Sequence, residues 1–128
     1  GDIVMTEEEI YVGRVLRSGL GSSDVILASS RSQITDVLFL ASGIRALAKG
    51  EGGGELAIDL LPESAEIKRG DIFIVSPKAD NLASGLLFGE MREASSVNGR
   101  IFKNARAVHL FNSFRDTPLF VITSPLTP

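Results

Sequence analysis

The chain has 128 residues, 44% hydrophobic and 23% charged, which suits one globular domain, or two very small ones, with enough length to bury a core. The net charge is −3 and the basic residues are scattered, which argues against a nucleic-acid partner because phosphates require clustered Lys and Arg. The absence of cysteine excludes thiol catalysis, disulfides and Cys-based zinc sites. No apolar stretch has the length of a membrane helix.

The dominant pattern is a series of short apolar runs separated by turn residues. Runs of this length and spacing are typical of β-sandwiches and β-barrels, and the 13 glycines suit the turns and bulges that such folds need. We therefore predict an all-β fold of small barrels built from short antiparallel strands, with little or no helix. In chain order the predicted strands are 2–5, 10–16, 25–28, 37–40, 44–49, 56–61, 72–75, 86–91, 100–110 and 119–123.

In the run 56–61, the alternation predicts Leu56, Ile58 and Leu60 on one face of a strand. The segment 32–49 has a competing interpretation, because several of its apolar residues also recur at helical spacing. Gly43 and the β-branched residues weaken a helix there, and the helix stays open as an alternative.

Three runs are apolar on both faces, namely 37–40, 72–75 and 119–122. A strand of a barrel wall normally buries one face and leaves the other in solvent, so a second apolar face implies a second cover. That cover is either a neighbouring part of the same molecule or a partner. We predict self-association through one of these runs. The motivating run is 119–122, with Phe120 and Ile122 as the candidate interface residues.

Residues for catalysis are scarce. His109 is the sole histidine, no Gly-x-Ser-x-Gly elbow occurs, and His109 falls in a predicted strand. We interpret it as an ordinary strand or surface residue, with a serine hydrolase as the minor alternative. The acidic cluster Glu7 to Glu9 is interpreted as a solvated turn, and no calcium-loop spacing is present. We therefore predict no enzyme activity, no metal and no cofactor.

An ordered series of motifs resembles the extracytoplasmic β-barrel region of the rod shape-determining protein family MreC. The strands at 11–15 and 24–27 are similar to the start of that region, and 50–62 resembles its glycine-rich passage ending in Leu-Pro. The segments 66–75 and 85–91 resemble its Gly-Asp strand and its Gly-Leu-x-Val-Gly strand, and 102–122 its closing strands. The resemblance covers nearly the whole chain in the right order.

The resemblance implies a non-catalytic scaffold of the bacterial cell-elongation machinery, involved in cell shape and peptidoglycan synthesis. It implies homo-oligomers and binding to MreD, MreB and penicillin-binding proteins. It also implies a location outside the cytoplasmic membrane, with an N-terminal membrane anchor that precedes this sequence. On this view residues 1–50 are strands of a first, incomplete barrel subdomain, and residues 51–128 form a second one.

The alternative binding function is a membrane-fusion adaptor or biotinyl-lipoyl-like module, since the pattern 68–75 also occurs in such proteins. A biotinyl or lipoyl domain requires an exposed lysine at a hairpin tip. Lys78 and Lys103 are the candidates, and neither has the usual flanking residues.

Overall fold

The computed structural model describes residues 2–62, 66–77, 83–96, 103–111 and 118–122. All regular structure in these residues is β, which confirms the predicted fold class, and the segment 32–49 holds two strands rather than a helix. The strands are β1 Ile3–Thr6, β2 Tyr11–Gly19, β3 Ser22–Leu27, β4 Ile34–Phe39, β5 Arg45–Gly52, β6 Glu55–Asp59, β7 Ile72–Val75, β8 Leu87–Ser96, β9 Lys103–His109 and β10 Leu119–Ile122.

The strands form two antiparallel units. One is a four-stranded sheet in the order β10-β1-β2-β3, and the other is a closed barrel in the order β4-β5-β6-β9-β8-β7. Closure removes free strand edges from the barrel, whereas the open sheet keeps two. The division predicted between residues 50 and 51 falls inside β5, and β4 and β5 pair within the closed barrel. The assignment of separate subdomains stays a prediction.

The barrel interior is filled by alternating residues of its strands. In β4, β5, β6 and β7 the buried residues stand two positions apart, which is the period expected of a wall with one inner face. Small and large side chains share the interior, as a narrow barrel requires. The alanines are Ala46, Ala48, Ala105 and Ala107, and the large residues include Val37, Phe39, Leu56, Ile58, Phe73, Val75, Phe88 and Met91.

The end of β6 departs from the predicted alternation. Leu56 and Ile58 are buried as expected, but Leu60 is 49% exposed and Leu61 is fully buried. The strand ends at Asp59, whose Oδ1 accepts a 2.9 Å hydrogen bond from the Leu60 amide, and Leu60 has a φ of 64°. This left-handed turn shifts the alternation by one residue, so the prediction that Leu60 lies with Leu56 and Ile58 is wrong.

The segment between β3 and β4 joins the sheet to the barrel wall. Gly50 and Gly52 of β5 donate backbone hydrogen bonds to the carbonyls of Gln33 and Ser29, at 2.9 and 2.8 Å. A Cβ on Gly50 would collide with the backbone of Ser29 and Ser30. Glycine at position 50 therefore permits the close approach that fixes this segment against β5.

A row of aromatic rings runs from the barrel interior toward the sheet. Phe73 lies between Phe39 and Phe88, with ring centroids 5.2 and 5.7 Å away. Phe88 in turn makes edge contacts with Tyr11 of β2 at 5.4 Å and with His109 at 5.1 Å. Tyr11 and Ile3 of the sheet thus belong to the same hydrophobic core as the barrel phenylalanines.

Candidate interaction site at the β10 edge

The strand β10 is the outermost strand of the four-stranded sheet. It pairs with β1 in antiparallel register, with Phe120 opposite Met5 and Ile122 opposite Ile3. Among the described strands the last is thereby paired with the first, so this edge depends on a contact between distant parts of the chain. Among the described residues β10 has no second strand neighbour.

The side chains of β10 are apolar and largely exposed. Leu119, Phe120 and Val121 are 45%, 47% and 51% exposed, while Ile122 is half-buried and packs against the core. The two predicted interface residues therefore differ in role. Phe120 presents its ring to solvent, whereas Ile122 contributes to the packing of the sheet. Leu119 and Val121 are exposed as well. The sequence feature that could have pointed to them is the run 119–122, which is apolar at every position.

An apolar edge strand can bind a further strand. Its outward backbone N–H and C=O groups offer hydrogen bonds, and its side chains on both faces offer apolar contact. The strand has no charged residue, no proline and no internal glycine, which are the usual devices that prevent edge pairing. Two copies related by a two-fold axis could pair β10 with β10 and form one continuous sheet.

The energy available at this edge is moderate. Covering the exposed half of a phenylalanine removes about 100 Å² from water, worth about 2.5 kcal/mol at ~25 cal/mol per Å². Leu119 and Val121 add contributions of similar or smaller size. Association costs about 4–15 kcal/mol in lost freedom of motion. A four-residue strand therefore supports weak, reversible pairing unless other surfaces contribute.

His109, the histidine weighed for catalysis, lies in the interior of the protein. Its side chain is buried with 7% exposure, and its Nε2 lies 2.6 Å from the backbone carbonyl oxygen of Tyr11. Burial lowers the pKa of the imidazole, an effect that outweighs the opposing hydrogen bond to Tyr11. The ring contacts Phe88 and Phe111, and among the described residues its Nδ1 has no hydrogen-bond partner. A strand residue was predicted, and His109 is the last residue of β9, but it is not at the surface.

The other candidate groups give no site in the described residues. Glu7, Glu8 and Glu9 are exposed in the turn between β1 and β2, and the described part of the chain contains no cluster of three or more side chains suited to a metal. Lys78 lies outside the described residues, and Lys103 is the first residue of β9. Among helices of the described residues, none is long and apolar enough to cross a membrane.

A surface cleft of about 280 Å³ on the barrel wall has a mixed charged lining. Its cations are partly neutralised, since Arg106 lies 3.7 Å from Glu55, and Arg92 lies 3.8 Å from Glu90. These exposed pairs are individually worth less than about 1 kcal/mol. We interpret the cleft as a solvated face of the barrel rather than an anion site.

Comparison with known proteins gives a consistent result. The family model described as "Rod shape-determining protein MreC, barrel core" matches residues 1–123. The chain is 24% identical over 102 residues to the cell shape-determining protein MreC of Haemophilus influenzae, covering 79% of this chain and 29% of that protein. The chain thus spans less than a third of that relative.

Solved structures share the fold. The crystal structure of MreC from Pseudomonas aeruginosa superposes with a TM-score of 0.86 at 22% identity, over 95% of this chain and 79% of that one. The major periplasmic domain from "the cell shape-determining filament MreC" gives 0.65 at 11% identity, over 92% and 74% of the two chains. The predicted resemblance is confirmed: this chain belongs to the MreC family of rod shape-determining proteins, and its residues 1–123 match the barrel core of that family.

Proposed function

We propose that the chain is a non-catalytic scaffold domain of the cell-elongation machinery, which acts in peptidoglycan synthesis by self-association and by binding other proteins. The observation that carries the proposal is the exposed apolar strand β10 at the edge of the four-stranded sheet. Membership of a shape-determining family supports it. The similarity to a domain of a cell shape-determining filament also supports assembly through repeated contacts.

The contact that we propose is antiparallel pairing of β10 with β10 of a second copy. Phe120 is the central side chain because it is exposed in the folded chain and lies in the middle of the strand. Ile122 holds β10 in place rather than contacting the second copy, since it packs against the core of its own chain. The mechanism is geometric, because a shared sheet edge fixes two domains in register with no bond made or broken.

Partners and location are extensions of the same proposal. By family resemblance we propose that MreD, MreB and penicillin-binding proteins are the partners of the whole protein. We also propose that the domain lies on the extracytoplasmic side of the cytoplasmic membrane, anchored by an N-terminal helix. Co-purification of tagged full-length protein from detergent-solubilised membranes with a penicillin-binding protein and MreD tests these partners. Their absence from the purified material would contradict that part.

Sedimentation velocity over a concentration series is the test of self-association. The wild type is expected to form reversible dimers or larger species as the concentration rises, and Phe120→Lys is expected to stay monomeric. A lysine at position 120 places a charge in the proposed contact, where desolvation is costly.

The matched control is Ile34→Lys. Ile34 is 61% exposed at the start of β4, in the closed barrel and away from β10. This control adds the same charge to an exposed apolar strand position and is expected to assemble like the wild type. Assembly of Phe120→Lys equal to that of the wild type would place the interface elsewhere, and a strictly monomeric wild type at millimolar concentration would reject self-association of this domain.

A further inference from the structure

The contact between the barrel and the four-stranded sheet contains a buried histidine, His109. One of its ring nitrogens has no hydrogen-bond partner among the residues that the structure describes. We call this contact the joint and define it as Glu9, Ile10 and Tyr11 packed against Leu87, Phe88 and His109. Ile10 forms an isolated parallel bridge with Leu87, and the Leu87 amide donates a 3.0 Å hydrogen bond to the Glu9 carbonyl.

The protonation state of His109 follows from its partner. A carbonyl oxygen can only accept, so Nε2 of His109 must carry the proton that it donates to Tyr11 at 2.6 Å. Nδ1 is then the bare nitrogen of a neutral ring. It is buried and has no hydrogen-bond partner among the described residues. A proton added to Nδ1 would create a cation with an unsatisfied buried N–H.

No charge in the described residues compensates such a cation. Tyr11 presents its carbonyl to the ring while its hydroxyl lies 3.5 Å from Nε of Arg14. Phe88 and Phe111 offer only ring contacts. None of the titratable or charged side-chain groups on the surrounding segments forms a hydrogen bond or ion pair with the imidazole. These groups are Glu9, the Tyr11 hydroxyl and Arg14 near the start of β2, Glu55 on β6, Glu90, Arg92 and Glu93 on β8, and Arg106 on β9.

We propose that the joint is a pH-sensitive contact, which loosens when Nδ1 of His109 takes up a proton and closes again when the proton is lost. The protonated ring needs an acceptor or water at Nδ1, and it gains either only if it leaves the aromatic contact with Phe88. Movement of the ring also removes the hydrogen bond to Tyr11, so the start of β2 separates from the end of β9. The barrel itself stays closed because its strand pairs do not involve this ring nitrogen.

The sign of the effect is fixed by the direction of the pKa shift. Burial lowers the pKa of His109 below the ordinary value of about 6.5. At pH values below 6.5 the open joint then binds more protons than the closed one. The closed joint therefore has its full stability above about pH 6.5 and loses stability as the pH falls toward the lowered pKa.

The composition of the chain makes the test direct, because His109 is the sole histidine, Tyr11 the sole tyrosine, and tryptophan is absent. Imidazole NMR resonances report protonation of His109, near-UV circular dichroism of Tyr11 reports the joint, and amide exchange of Leu87 reports its hydrogen bond to Glu9. Between pH 8 and pH 4.5 the circular dichroism signal of Tyr11 is expected to change with the same midpoint as the protonation of His109. The exchange rate of the Leu87 amide, corrected for its intrinsic rate, is expected to change with that midpoint too. We expect at least about a tenfold rise in Leu87 exchange, whereas the amide of Met91, bonded to Asp71 inside the barrel region, stays protected.

The matched variant is His109→Gln, which keeps an amide N–H for Tyr11 but does not titrate. Its Tyr11 signal is expected to be flat over the same pH range. The proposal is overturned if His109 titrates at or above 6.5, if it stays neutral until the whole chain unfolds, or if Tyr11 and Leu87 do not respond while it titrates. These wild-type measurements decide the matter even where the glutamine variant does not fold.

Discussion

Phe73 of β7 and Gly89 of β8 are direct cross-strand partners, and the ring of Phe73 occupies the space that a side chain on residue 89 would need. A Cβ there would lie 2.8 Å from Cε2 of Phe73 and 2.8 Å from the carbonyl oxygen of Val108. The absence of a side chain at position 89 thus lets Phe73 reach Phe88 and continue the aromatic row.

The variant Gly89→Ala is therefore expected to destabilise the chain by about 2 kcal/mol, because overpacking forces the ring or the strand to move. The measurement is the free energy of unfolding in urea. Gly19→Ala is the control, since a Cβ on Gly19 meets nothing within 4 Å. Adding Phe73→Leu to Gly89→Ala is expected to recover part of the loss. Equal stability of the two alanine variants would contradict the role given to Phe73.

Leu60 combines a left-handed backbone with an exposed apolar side chain. Asparagine tolerates this conformation better than leucine does, so Leu60→Asn is expected to raise the free energy of unfolding by about 0.5–1 kcal/mol. The control is Leu40→Asn, which removes a leucine of similar exposure and is expected to change stability by less than about 0.5 kcal/mol. A loss of stability in Leu60→Asn would show that the leucine side chain makes a contact worth more than the strain.

The ion pair between Lys49 and Asp59 on the barrel wall, at 3.0 Å, is exposed and should contribute little. The hydrogen bond from Lys49 lowers the pKa of Asp59, assisted by the Leu60 amide. Stability from this pair is present above the ordinary aspartate pKa and is lost as the pH falls through the lowered value. Lys49→Met should raise the Asp59 pKa toward its ordinary value in a carboxyl NMR titration and cost less than about 1 kcal/mol at neutral pH. An unchanged pKa would mean that the Leu60 amide alone holds the carboxylate.

Phe120 and Ile122 are expected to differ in their effect on folding. Phe120→Lys should leave the melting temperature nearly unchanged, because Phe120 is about half exposed and an outward lysine stays solvated. Ile122→Lys should cost about 1–3 kcal/mol, since Ile122 packs against the core opposite Ile3. Thermal unfolding at a concentration where the chain is monomeric separates the two. Equal losses would mean that Phe120 is also part of the fold.

The all-β class and the approximate place of most strands could be predicted from the sequence, because alternation and turn residues are local signals. In β6 the alternating Leu56 and Ile58 predicted the buried face correctly, yet the pattern could not reveal that the strand ends at Asp59. That end depends on one left-handed residue and one side-chain hydrogen bond. The family too was predictable from the sequence, because its motifs follow one another along the chain in a fixed order.

Which strands pair and which surfaces remain exposed could be seen only in the folded structure. Pairing of β1 with β10 joins residues more than 100 positions apart, and short strands carry no local signal for such a choice. The same distant contacts buried His109 against Tyr11 and exposed Phe120 while covering Ile122. Local sequence specifies the faces of a strand through its two-residue period, whereas its neighbours are specified by packing across the whole chain.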